Sequence, residues 1–98
     1  MVLASDICET TVEIKNAEGL HMRPAMQFVD TASRFKSKIT VTNGDISVDG
    51  KSIMQMSMLA ATCGTKLCIQ ANGVDASDAL VALRELVEVT LPQASPQG

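Results

Sequence analysis

One junction constrains this chain more than any other stretch: Gly19-Leu20-His21-Met22-Arg23-Pro24-Ala25 must pass from a strand into a helix within seven residues. Ahead of it, Val12 and Ile14 alternate with Thr11, Glu13 and Lys15, which predicts a half-buried strand from about Thr11, broken at Asn16-Ala17-Glu18-Gly19. Behind it, Met22, Ala25, Met26, Val29 and Ala32 recur at helical spacing. Phe28 and Phe35 widen that stripe, while Gln27, Asp30 and Arg34 face water, giving a helix of about three turns. Gly19 can turn the backbone and Pro24 can open a helix. The only histidine, His21, therefore stands at a helix start, where backbone N–H groups lack intrahelical partners and the dipole is positive. Proline removes one of those donors, and the usable ones are the amides of Met22 and Arg23 or their neighbours. Most histidines in such a place are only caps or surface residues, so spacing alone leaves that reading open.

The rest of the chain repeats the same grammar. Ile39 and Val41 point inward within Lys38 to Thr42, and Asn43-Gly44 signals a hairpin into Ile46 and Val48. Asp49-Gly50 closes that strand. Ser52 is placed as the N-cap of a short helix over Ile53 to Ala61, with Gly64 placed to end it. Leu67, Ile69 and Ala71 mark a last strand, terminated at Asn72-Gly73. An acidic turn, Asp75-Ala76-Ser77-Asp78, then opens a third helix that buries Ala79, Leu80, Leu83, Leu86 and Val87. Residues 1–91 read as one domain, and 92–98, rich in Pro, Gln, Ser and Gly, as a disordered tail. The order βαββαβα, with three amphipathic helices needing one cover, predicts an α+β fold: a four-stranded antiparallel sheet with all helices on one face.

Composition narrows the function classes. A chain of 98 residues, 46% of them hydrophobic, supports one core and no second domain. A net charge of −3 without a basic run, and no Trp or Tyr for base stacking, argue against nucleic acid or an anionic membrane as the main partner. Neither a basic, apolar leader nor a membrane-length segment occurs, so a cytoplasmic protein is expected. Cys8, Cys63 and Cys68 are odd in number and lack zinc-finger spacing, which reads as reduced, mostly packed thiols and no metal site.

The chemistry that suits His21 is reversible phosphoryl transfer, because imidazole is a good nucleophile near neutral pH and leaves readily. With Val48-Asp49-Gly50-Lys51-Ser52-Ile53-Met54 some thirty residues later and Gly64-Thr65 beyond, the motif Gly-Leu-His-x-Arg-Pro-Ala resembles the HPr family of phosphocarriers of the bacterial phosphotransferase system, from about Thr11 to Val87. That resemblance implies an open-faced β-sandwich in which His21 becomes a pros-phosphohistidine. It implies Enzyme I, charged by phosphoenolpyruvate, as donor, and permease A domains or transcriptional regulators as acceptors. Arg23 would complement the phosphate charge. Ser52 would be the regulatory site of an HPr kinase/phosphorylase, and Met22, Ile53, Met54 and Met56 would form the docking surface. A monomeric shuttle without cofactor is expected, formally grouped with transferases though not itself an enzyme. Ile53 and the methionines at 54, 56 and 58 exceed what one side of a nine-residue helix can bury, so some must face solvent. Met22 and Ser57 depart from the usual family residues. Two other readings compete: a regulatory protein signalling through Ser52 or a nitrogen-type relay, and a thiol or metal protein using Cys63 and Cys68.

Overall fold

In the computed structural model, which describes residues 7–17, 19–59 and 61–94, alternating apolar residues become a four-stranded antiparallel sheet. Its strands are β1 (Ile7–Glu13), β2 (Lys38–Asn43), β3 (Ile46–Asp49) and β4 (Lys66–Asn72), in the spatial order β1-β4-β2-β3. The helices are α1 (Met22–Ala32), α2 (Ile53–Met56), α3 (Ala76–Glu85) and α4 (Leu91–Ala94). A tight turn, Ser57–Leu59, continues α2, and a wide-turned stretch, Leu86–Thr90, joins α3 to α4. One face of the sheet presents Val12, Ile39, Val41, Val48, Leu67, Ile69 and Ala71, all buried. Ala25, Phe28 and Ala32 of α1 and Ala79, Leu80 and Leu83 of α3 close over them. The opposite face keeps Glu9, Thr11, Lys66 and Gln70 in water, so the sandwich is open on that side.

Several boundaries differ from the sequence expectation, each for a tertiary reason. Strand β1 begins at Ile7 rather than Thr11, because Ile7 to Glu13 pair in register with Asn72 to Lys66. The hairpin turn is Gly44-Asp45 rather than Asn43-Gly44: Asn43 still pairs with Ile46, and Gly44 supplies the positive φ of 63°. The stripe of α1 is rotated toward Phe28, which leaves Met22 and Met26 exposed. The second helix is four α-helical residues plus the turn, not nine. Ser57 Oγ donates to the Met54 carbonyl at 2.7 Å and Asn43 Nδ2 to the Leu59 carbonyl at 3.0 Å, so side chains end it well before Gly64. At the C-terminus, Pro92 to Ala94 are helical rather than part of a disordered tail, anchored through buried Leu91. Residues 95–98 of the expected tail lie outside the described residues.

Asp75 precedes α3, but its carboxylate does not cap that helix. It accepts from the Lys36 amide at 2.8 Å, the Ser37 amide at 2.9 Å and the Ser37 hydroxyl, tying the loop after α1 to the loop before α3. The Ser37 hydroxyl and the Lys36 amide hold the Asp75 carboxyl below its ordinary value. Because the folded pKa is the lower one, the contribution to stability is full above the unfolded value of 3.8 and is lost as pH falls through the folded value. Asp75→Ala should therefore lower the urea midpoint at neutral pH, with the gap to the parent narrowing below that value. An unchanged midpoint at neutral pH would show the tie to be dispensable.

Candidate functional site

The junction singled out in the sequence is built by two loops strapped together. Gly19 closes a turn by donating its amide to the Asn16 carbonyl at 3.0 Å, while Asn16 Nδ2 donates to the Gly19 carbonyl at 2.7 Å. Gly19 has a φ of 69°, and its missing Cβ leaves room for the Ala61 carbonyl oxygen. The amide of Leu20 donates to that same carbonyl at 3.0 Å, the amide of Ile14 to Thr65 at 2.9 Å, and the amide of Gly64 to Ile14 at 2.7 Å. Nothing in the spacing marked Asn16 for more than a strand breaker, yet it is buried and holds the turn that delivers His21.

His21 is the N-cap residue of α1, with φ −71° and ψ −174°, and it is exposed. Its carbonyl accepts the Ala25 amide at 2.9 Å, whereas its imidazole makes no capping bond and is left free for chemistry. Pro24 has no N–H, so the first-turn donors left without an intrahelical partner are the amides of Met22 and Arg23. No acidic residue sits in that first turn to oppose an anion. The Arg23 side chain is exposed beside them.

Next to this helix start runs an open groove lined by Met22, Arg23, Met26, Val29, Asp30 and Ile53, with α2 packed beside α1. Met22 is 59% exposed, Met54 is 78% exposed, and Ile53 is half-buried. Met56 does not belong to this surface: it is fully buried, because it shares with half-buried Ile53 the side of the short helix that packs against the core, away from Met54. Met26, one turn beyond Met22 and 55% exposed, takes the place on the surface that Met56 was expected to hold. The signal was present in the i, i+4 spacing of two methionines, but it read as core. Ser52 caps α2, its Oγ accepting the Gln55 amide at 3.3 Å.

The thiols are dispersed. Cys63 is exposed, Cys8 and Cys68 are half-buried, and no metal-binding cluster occurs among the described residues. Among those residues, no helix is long and apolar enough to cross a membrane.

The sequence model of a family described as "PTS HPr component phosphorylation site" matches residues 8–89. The chain belongs to the HPr family. It is 46% identical over 77 residues to the phosphocarrier protein HPr of Neisseria meningitidis serogroup A, covering 79% of this chain and 86% of that one. The solved structure of an HPr from Bacillus anthracis superposes with a TM-score of 0.81 at 35% identity, over 84% of this chain and 98% of its own. That of HPr-C-His from Thermoanaerobacter tengcongensis gives 0.79 at 44% identity, over 82% and 90%. Like other HPr proteins, this chain is a phosphocarrier of the phosphotransferase system. The sheet and the helix order are those of an HPr fold.

Proposed function

We propose that His21 accepts a phosphoryl group at its pros nitrogen (Nδ1) from Enzyme I, with phosphoenolpyruvate as the original donor, and delivers it to permease A domains or regulators. The observation that carries this reading is an exposed, uncapped imidazole at the N-cap of an 11-residue helix whose first two amides are unpaired within the helix. The lone pair of Nδ1 attacks phosphorus, the bond from phosphorus to the donor breaks as the new P–N bond forms, and the donor group leaves with the electron pair of the broken bond. The amides of Met22 and Arg23 and the Arg23 guanidinium then meet the phosphoryl oxygens. The dipole contribution at such an exposed helix start is about 0.3–1 kcal/mol. That modest stabilisation suits a carrier, which must give the group away again. The protein works as a cytoplasmic monomer, belongs with the transferases of its system only by grouping, and needs no cofactor. Incubation with phosphoenolpyruvate and Enzyme I, followed by intact mass at mild pH, should add one phosphoryl group. No gain in mass would overturn the reading.

Ser52 serves as the regulatory site and Met22, Ile53 and Met54 as the docking surface, joined by Met26. Ser52 opens α2 directly before Ile53 and Met54, so a phosphate placed there by an HPr kinase sits at the edge of that surface. Ser52→Asp should leave the circular dichroism unchanged, since aspartate caps a helix as well as serine does. It should weaken Enzyme I binding at least about tenfold, because the new charge must be desolvated on docking. Equal affinity for Enzyme I in a titration at two salt concentrations would return Ser52 to a plain cap.

A further inference from the structure

Methionine is ordinarily a core residue, yet four of the five among the described residues face solvent: Met22 at 59%, Met26 at 55%, Met54 at 78% and Met58 at 64% exposure. Their placement is not scattered. Met22 and Met26 lie one turn apart on α1 and line the groove with Ile53. Met54 and Met58 are likewise four residues apart, on α2 and the turn that continues it. Both pairs belong to the two helical segments that flank His21 and Ser52, while Met56, on the same short helix, is fully buried. The chain therefore carries accessible thioethers on both helical segments, Met22 and Met26 in the groove beside His21 and Met54 and Met58 on the segment that Ser52 opens, together with a protected thioether as an internal reference.

We propose that this methionine face is a reversible oxidation site through which a hydroperoxide switches off docking at His21; the inference rests on the phosphocarrier reading given above. In the step, a sulfur lone pair attacks the distal oxygen of the hydroperoxide and the O–O bond breaks. The sulfur keeps that oxygen as a sulfoxide, and its proton passes to the departing oxygen, giving water or an alcohol. The thioether loses two electrons and the peroxide gains them. Each sulfoxide exchanges a deformable apolar tip for a strong acceptor that a partner surface must desolvate. Folding is untouched, since none of the four side chains belongs to the buried core.

The test uses the full chain treated with hydrogen peroxide and then with dithiothreitol, which reduces oxidised Cys63 but leaves sulfoxides in place. Peptide mass mapping should show oxygen at Met22, Met26, Met54 and Met58 before Met56. Phosphorylation by sub-saturating Enzyme I should slow at least about tenfold with unchanged circular dichroism. Methionine sulfoxide reductases should restore the rate. In the variant with leucine at all four positions, the ratio of treated to untreated rates should be close to one, whatever its basal rate. Sulfoxides at the four positions with an unchanged rate, or an equal loss in the leucine variant, would overturn the inference while leaving the phosphocarrier reading intact. Failure of the untreated chain to accept a phosphoryl group would overturn both.

Discussion

Replacing His21 by alanine is expected to abolish phosphorylation by Enzyme I while leaving the fold as it is. The imidazole is the only one in the chain, so no other side chain offers the same nitrogen nucleophile. Its loss costs little in stability, because it is exposed and makes no capping bond, and exposed substitutions of this kind stay within about 0.5 kcal/mol. Thermal unfolding of the variant should therefore superpose on the parent, while its intact mass stays unmodified after incubation with phosphoenolpyruvate and Enzyme I. Phosphorylation of the variant at the parent's stoichiometry would sink the assignment. Arg23→Ala should differ in kind. The amides of Met22 and Arg23 itself are main-chain groups and survive the substitution, so transfer slows but does not stop. Rates equal to the parent would make Arg23 a solvated charge with no part in transfer.

The second large effect is expected at Gly19, where alanine should destabilise the whole domain and the site together. A φ of 69° costs a side-chain-bearing residue about 1–2 kcal/mol. A Cβ there would also meet the Ala61 carbonyl oxygen at 2.5 Å and the Thr62 Cα at 2.9 Å. Both are backbone atoms of the strapped loop and cannot swing aside, and such overpacking adds about 1–3 kcal/mol. The sum, about 2–5 kcal/mol, is a large part of the roughly 5–15 kcal/mol that holds a domain of this size together. Relief requires the two loops to separate, which breaks the bond from the Leu20 amide to Ala61 and displaces His21 from its place at the head of α1. Urea denaturation should show the lowered midpoint, and the surviving folded fraction should be phosphorylated more slowly than the parent per folded molecule. A midpoint within experimental scatter of the parent would mean that the loops are not held as described.

How much of this was legible beforehand follows from the range of each interaction. Strand and helix identities, the hairpin, the cap at Ser52 and the strand-to-helix passage at His21 depend on contacts within a few residues, so period and turn chemistry were enough to predict them. The candidate role of His21 was not readable in this way: spacing alone left it a cap or a surface residue, and only the resemblance of the whole motif to the HPr family pointed to phosphoryl transfer. What lay beyond reach was every decision made by partners distant in the chain. The start of β1 at Ile7 was settled by pairing with Asn72, and the role of Asp75 by Lys36 and Ser37. The burial of Met56 and exposure of Met26 were settled by which side of each helix met the sheet. A single helical stripe looks alike whether its flank is covered or bare. Only the docking of α1 and α2 onto one face of the sheet determined which methionines became core and which were left as surface beside His21, because burial is a property of the packed layers and not of the segment.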